Sequence, residues 1–282
     1  MSKLKVLVTG ASGKVAGQVL PALQDRYDVT LTDIRNTNRH DEEVPDVQIA
    51  DLTDVNRDAY RHLFAGQDIV VHFGFMRAED NTADANFRSE YGNVGMAYNI
   101  YKTALEEGIK RVVVASSNHA ADYYEELILD GAMDYVDPNQ RALSDNYYGW
   151  AKEVYEHLGF VFATGKMEKQ PLENIQIRIG GPRETDVENC ELGDLRRVRR
   201  ALAVYISDRD MQQLFVKSIE ADNILDEQGV PFQIFYGISG NNHAFWSIAN
   251  ARKIIGYAPE DNSELRFADL IQKHIKAAQS KA

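Results

Sequence analysis

A parallel, doubly wound α/β sheet is the fold class this sequence predicts, and two observations carry it. Short apolar runs rich in Val and Ile alternate with helical stretches through the first two thirds of the chain. That texture belongs to strands whose two faces are both covered by crossover helices. The first run, Lys5-Val6-Leu7-Val8-Thr9, meets the turn Gly10-Ala11-Ser12-Gly13 and then a stretch that reads as helix. Strand, glycine turn and helix in that order are the context a dinucleotide-binding motif requires. Gly10 permits the tight turn, Gly13 lets the backbone approach a pyrophosphate, and Ala16 lets the helix pack closely on the sheet. The free N–H groups at the helix start, with the helix dipole behind them, favour an anion.

The remaining elements follow in order. Strands are expected at 27–33, 47–50, 68–72, 111–116 and 174–179, with one more at 231–236, which makes seven in all. Helices are expected at 58–64, 93–107 and 148–164. Right-handed crossovers between such strands produce a Rossmann sheet. Past Pro182 the texture changes. The acidic, polar stretch 183–195 reads as a loop, Ser207 as the cap of a helix with Asp208 and Asp210 in its first turn, and Ser247 as the cap of a shorter one. The expected division is residues 1–182 as an NAD-binding Rossmann domain. Residues 183–282 then form a small substrate-binding cap, of which 232–236 returns to the sheet as a strand.

Composition narrows the function. Of 282 residues, 44% are hydrophobic and 26% charged, the profile of a folded globular protein, and the net charge of −12 argues against nucleic acid as a partner. Cys190 is the only cysteine, which excludes an intrachain disulfide and a cysteine-based zinc site. His62, His72, His243 and His274 lack metal-ligand spacing. No apolar run is long enough to span a bilayer, and the chain enters its first strand too soon for a signal peptide. A cytoplasmic protein without membrane contact is the expectation.

Four sites carry chemistry. Asp33 ends the second strand about 20 residues past the glycine turn, where a carboxylate accepts hydrogen bonds from the adenosine ribose and repels a 2′-phosphate. NAD is therefore expected over NADP, with Arg35 as the one neighbour able to tolerate the phosphate. Asp51-Leu52, after the third strand, can meet the adenine. In Tyr148-Gly149-Trp150-Ala151-Lys152 the phenol and the ammonium share one helix face, so the lysine is expected to lower the tyrosine pKa and make it a general base. Ser116-Ser117-Asn118-His119 leaves the carboxyl end of the fifth strand, the edge where open α/β sheets bind ligands. Ser117 can polarise the reacting oxygen, while Asn118 and His119 can bind sugar hydroxyls. Glu125-Glu126 and Asp41-Glu42-Glu43 read as solvated faces, and Trp150 and Trp246 as packing residues.

Together the Thr9-Gly10-x-x-Gly13 turn, Asp33, Ser117 and Tyr148-x-x-x-Lys152 resemble an extended short-chain dehydrogenase/reductase of the NAD-dependent epimerase/dehydratase group. Residues 93–99 and the exit at 178–182 fit that group as well. A narrower likeness is to the uronate dehydrogenases. It rests on Ser-Ser-Asn-His after the fifth strand, on 236–242 (Tyr-Gly-Ile-Ser-Gly-Asn-Asn), on Trp246, and on Gly256-Tyr257-x-Pro259-x-Asp261-Asn262. The resemblance implies cofactor contacts from Gly10, Ser12, Gly13, Lys14, Val15, Asp33, Ile34, Arg35, Asp51, Leu52, Phe73, Gly74, Phe75, Asn93, Tyr148, Lys152 and Ile179. It implies catalysis by Tyr148, Lys152 and Ser117. Substrate would be held by Asn118, His119, Tyr148, Ser117 and Arg200, the last matching an arginine that grips the substrate carboxylate from ahead of a helix. Phe75-Met76-Arg77 and Gly181 depart from the family, as does the longer segment 119–148, and Arg77 adds a second cation to the substrate side.

The implied activity is NAD-dependent oxidation of a sugar or sugar acid at its anomeric carbon to a lactone, by a homo-oligomer. The alternatives are a nucleotide-sugar epimerase or dehydratase that keeps its NAD bound, and a non-catalytic NAD sensor on the same fold. Retention of Tyr148, Lys152 and Ser117 speaks against the sensor.

Overall fold

A computed structural model describes residues 3–281. Seven parallel strands form one sheet: β1 (Lys5–Thr9), β2 (Asp28–Asp33), β3 (Val47–Ile49), β4 (Ile69–His72), β5 (Arg111–Ser117), β6 (Glu173–Ile179) and β7 (Phe232–Gly237). Their order is β3-β2-β1-β4-β5-β6-β7, every pair parallel. The chain winds outward in one direction from β1 and in the other from β4, so the crevice at their carboxyl ends is the topological switch point where such sheets bind ligands. The seven expected strands are all present.

Alternating side chains fill both faces of the sheet. Val6, Val8, Val71, Val113 and Ile175 face the helices Lys14–Arg26 and Asp208–Glu220 through Val19, Leu23, Leu214 and Phe215. Leu7, Val70, Val112 and Val114 face the helices Ala83–Glu106 and Tyr147–Thr164 through Ile100, Tyr101, Tyr155 and Phe162. Among the described residues no helix is long and apolar enough to cross a membrane.

Several helix boundaries differ from expectation. The helix expected at 93–107 begins ten residues earlier, where Thr82 caps it by accepting from the Ala85 N–H. The expected helix 58–64 is broken at Tyr60, whose ring is buried and whose hydroxyl donates to the Asp54 carbonyl at 3.0 Å. The stretch expected as a loop after Pro182 holds the short helix Thr185–Glu188, and the next helix is Leu195–Val204, capped by Asp194. Arg200 therefore lies inside a helix. Ser207 caps Asp208–Glu220 as its sequence implied, whereas Ile248 takes the cap position expected of Ser247.

Buried charge ties β6 to the helix Tyr147–Thr164. Arg178 donates from Nε and a terminal nitrogen to the two carboxylate oxygens of Glu156, at 2.9 and 2.7 Å, and from its other terminal nitrogen to the Tyr236 hydroxyl at 2.9 Å. Ser116 on β5 donates to the same carboxylate. Breaking such a pair strands a charge in the interior, so Glu156→Ala should cost about 3–5 kcal/mol in urea denaturation. A loss below about 1 kcal/mol would show that Arg178 finds another partner.

Candidate active site

The cofactor half of the crevice is built from backbone. Gly10 has φ of 70°, and a Cβ there would lie 2.4 Å from the Gly74 nitrogen, so the turns leaving β1 and β4 touch main chain to main chain. Gly13 is the N-cap of the helix Lys14–Arg26 and offers no side-chain cap, which leaves the Lys14 and Val15 end of that helix to an external anion. Burial, with Arg39 and Arg183 as neighbouring cations, lowers the Lys14 pKa. Asp33 accepts from the Ser12 N–H at 2.9 Å and the Ile34 N–H at 2.7 Å, while the Ser12 hydroxyl donates to the Arg35 carbonyl at 2.7 Å. These bonds orient the carboxylate at the turn. Beside it Ile34 leaves 65% of its surface exposed, an apolar face for a base. Asp51 holds Thr53 through one carboxylate oxygen, and Leu52 is buried beneath.

On the other side of the switch point, Phe73 packs on Phe215 and Ile179 is buried at the end of β6. Asn93 does not direct its amide into the crevice. It accepts from the Met76 N–H at 2.8 Å and donates to the Met76 carbonyl and to Glu90, so it fixes the loop after β4.

The helix Tyr147–Thr164 brings the catalytic candidates together. Its cap, Asn146, accepts from the Gly149 N–H at 2.9 Å. A Cβ on Gly149 would lie 2.0 Å from the His119 carbonyl, so only glycine lets the helix seat against the turn after β5. Tyr148 is thereby held beside Ser117, which pulls its pKa down, while the Ser117 hydroxyl accepts from the His119 N–H at 3.2 Å. The Tyr148 ring is met edge-on by the Phe75 ring at 5.4 Å and by the His119 ring at 5.7 Å. Lys152 is 4% exposed and donates to the Ala115 carbonyl at 3.0 Å, with its ammonium 5.3 Å from the Tyr148 ring centre.

Ion pairs fill the substrate side. His119 meets Asp122 at 2.9 Å, and Asn146 donates to the same oxygen. Arg200 donates from Nε and a terminal nitrogen to the two oxygens of Glu125, both at 2.9 Å, and the buried Asn118 donates to Glu125 at 3.1 Å. Glu125 is thus no solvated acid, and the expected open guanidinium fork of Arg200 is occupied. Arg77 is exposed on the loop after β4 and makes no ion pair among the described residues. Sequence reasoning missed Glu90, Asp122 and Glu125. The one local signal was the i, i+3 spacing that sets His119, Asp122 and Glu125 in one row.

A family profile described as NAD(P)H-binding matches residues 10–159, more than half of the chain. L-arabinose 1-dehydrogenase (NAD(P)(+)) of Haloferax volcanii is 32% identical over 270 residues, covering 92% of this chain and 97% of that protein. The chain belongs to the short-chain dehydrogenase/reductase family. NAD-dependent glucose-6-phosphate dehydrogenase of the same organism is 30% identical, covering 92% of this chain and 94% of its own. The crystal structure of uronate dehydrogenase from Agrobacterium tumefaciens is 25% identical, with a TM-score of 0.73 over 96% of this chain and 90% of that one. This short-chain dehydrogenase is thus an oxidoreductase built on an NAD-binding Rossmann sheet. The residues fit the cofactor: the Gly10–Gly74 approach is a cradle that any Cβ would fill.

Electrostatics around Tyr148 and Lys152 run against one expectation. Burial raises the Tyr148 pKa, Ser117 opposes this, and the Glu90 carboxylate adds to it. The net direction for the phenol is therefore upward, and burial acts on the lysine as well: it brings Lys152 down to about 8, against the pull of Glu90 and Glu156. The buried His72 is pushed down to about 3 by burial and by Lys152, so it is neutral and bonds Thr9 at 2.7 Å. No group of acids, histidines and cysteine among the described residues could hold a metal ion. Lys152 makes stability depend on pH. An unfolded lysine keeps its proton up to about 10.5, so between about 8 and that value the unfolded chain binds more protons and stability rises with pH. From pH 8 to 10 the cofactor-free wild type should gain about 2 kcal/mol relative to Lys152→Met in urea denaturation. Parallel pH curves would mean that the lysine titrates as if exposed.

Proposed function

We propose that this enzyme oxidises a sugar at its anomeric carbon to the lactone, with NAD as acceptor. The observation that carries the reading is the convergence of Tyr148, Lys152 and Ser117 at the carboxyl edge of the sheet, beside Asn118 and His119. Two bonds break, C1–H and the C1 hydroxyl O–H, and a carbonyl forms. NAD, when bound, accepts the hydride from C1 and supplies a positively charged ring. Tyr148 takes the hydroxyl proton, and Ser117 hydrogen-bonds the same oxygen and steadies its growing charge. Lys152, pinned to the Ala115 carbonyl, presents positive charge under the phenol. Asn118 and His119 orient the ring by its hydroxyls.

Support for the cofactor's placement comes from the same residues. The Gly10–Gly13 turn with Lys14 and Val15 would receive the pyrophosphate, Asp33 the adenosine ribose, and Ile34 with Asp51-Leu52 the adenine. Phe73, Gly74, Phe75 and Ile179 would border the nicotinamide. In this reading residues 1–182 bind the cofactor and 183–282 cap the substrate.

Tyr148→Phe should reduce kcat by at least about 100-fold while NAD affinity, read by protein fluorescence, changes less than about threefold. Retention of more than about a tenth of kcat would mean that another base operates. Net NADH formation from free sugars separates this activity from an epimerase that recycles bound NAD.

Asp33 governs the choice between the two dinucleotides. In this reading its carboxylate meets the adenosine 2′-hydroxyl and repels a 2′-phosphate, so kcat/KM should favour NAD over NADP by at least about tenfold, and Asp33→Asn should narrow the ratio. Equal efficiency with both in the wild type would assign the ribose end to Arg35 instead.

A further inference from the structure

The relatives' names span a neutral pentose and a phosphorylated hexose, and the structural neighbour is a uronate enzyme, so likeness leaves the charge of the substrate open. The structure bears on it directly. We propose that Glu125, by occupying Arg200, makes this a pocket for neutral aldoses and excludes sugar acids. The inference rests on C1 oxidation being the reaction.

A planar guanidinium grips a carboxylate through two parallel N–H donors, and here both are engaged by one internal carboxylate at 2.9 Å. The pair is largely shielded, with side-chain exposures of 27% for Arg200 and 13% for Glu125. Arg200 cannot turn to an incoming uronate without stranding the Glu125 charge, which is costly in a shielded place. Asp122 and Asp186 also lie within electrostatic reach of Arg200, so three acids face one arginine. A second anion therefore meets a filled clamp.

The same acids suit hydroxyl groups. Glu125 is one hydrogen bond from Asn118, the residue after Ser117, and Asp122 holds His119 against the Tyr148 ring. The pocket therefore presents polar side chains backed by carboxylates, which can accept from hydroxyl groups and cannot accept a carboxylate. Arg77, on the loop after β4, is exposed and lies outside this pair.

The test compares stereochemically matched aldohexoses and hexuronates by NADH absorbance, with wild type, Glu125→Gln and the double variant Glu125→Gln/Arg200→Gln. Wild type should favour the aldose by at least about tenfold in kcat/KM, the scale of one charge-assisted contact. Glu125→Gln keeps the shape and releases the guanidinium, so the uronate-to-aldose ratio should rise about tenfold, mainly through a lower KM for the uronate. The double variant should lose that gain. A wild type that prefers uronates, or a folded, NAD-binding Glu125→Gln with an unchanged ratio, overturns the inference and leaves C1 oxidation standing. No NADH from any sugar of either charge overturns the parent reading and the inference with it. Should Glu125→Gln fail to fold, the wild-type preference alone decides.

Discussion

The Lys152 ammonium is buried between the sheet and its covering helix, and much of the site is arranged to hold it there. It rests on the Ala115 carbonyl at the carboxyl end of β5. Glu90 from one helix and Glu156 from its own supply the opposing charge. Glu156 also clamps Arg178 on β6, and Arg178 in turn binds Tyr236 on β7. Three adjacent strands and two helices are thus connected through ionised or polar groups in the interior. Hydrophobic burial alone would allow the helix Tyr147–Thr164 to slide or rotate by small amounts. A satisfied polar network tolerates no such shift without leaving groups unpaired, and this is what fixes the Tyr148 oxygen in place.

The two halves of the crevice are made from different materials. On the cofactor side the decisive atoms are main-chain: Gly10 against Gly74, the N–H groups at the helix start, and the two backbone N–H groups that aim Asp33. On the substrate side they are side chains in ion pairs, such as His119 with Asp122 and Arg200 with Glu125. A backbone cradle changes only if the fold changes. A side-chain pair changes with one substitution. Relatives sharing one cofactor chemistry can therefore diverge in the sugar they take without any rearrangement of the sheet.

That division also explains what was legible in the sequence. The glycine turn, Asp33 and Tyr148-x-x-x-Lys152 were readable because each demands particular residue types at fixed spacing within one βα unit or one helical turn. The seven strands were readable from their Val/Ile runs. Glu125 and Arg200 lie 75 positions apart, so no local pattern joins them, and Glu125 beside Glu126 looked like a solvated face. Glu126 does sit at the surface, paired with Arg196, while one residue earlier the helix turns its acid inward. The early start of the helix Ala83–Glu106 escaped notice because Asp84, Asn86 and Arg88 break its apolar period. Tyr148 and Lys152 were rightly placed on one face, yet the direction of the tyrosine shift was not readable, since it depends on burial and on Glu90.

The raised phenol pKa bears on how the pair must work. A tyrosine that holds its proton tightly is a poor base until positive charge reaches it. Lys152 supplies less than a full share, because burial brings its own pKa to about 8. The two groups oppose each other in a common low-dielectric setting: neutral lysine leaves the tyrosine protonated, and charged lysine favours its ionisation. Added positive charge at the mouth of the crevice favours the tyrosinate directly. Added negative charge would hold the proton on the phenol, as Glu90 already does. On the substrate side of the crevice the acids Glu125 and Asp122 are instead paired, with Arg200 and His119.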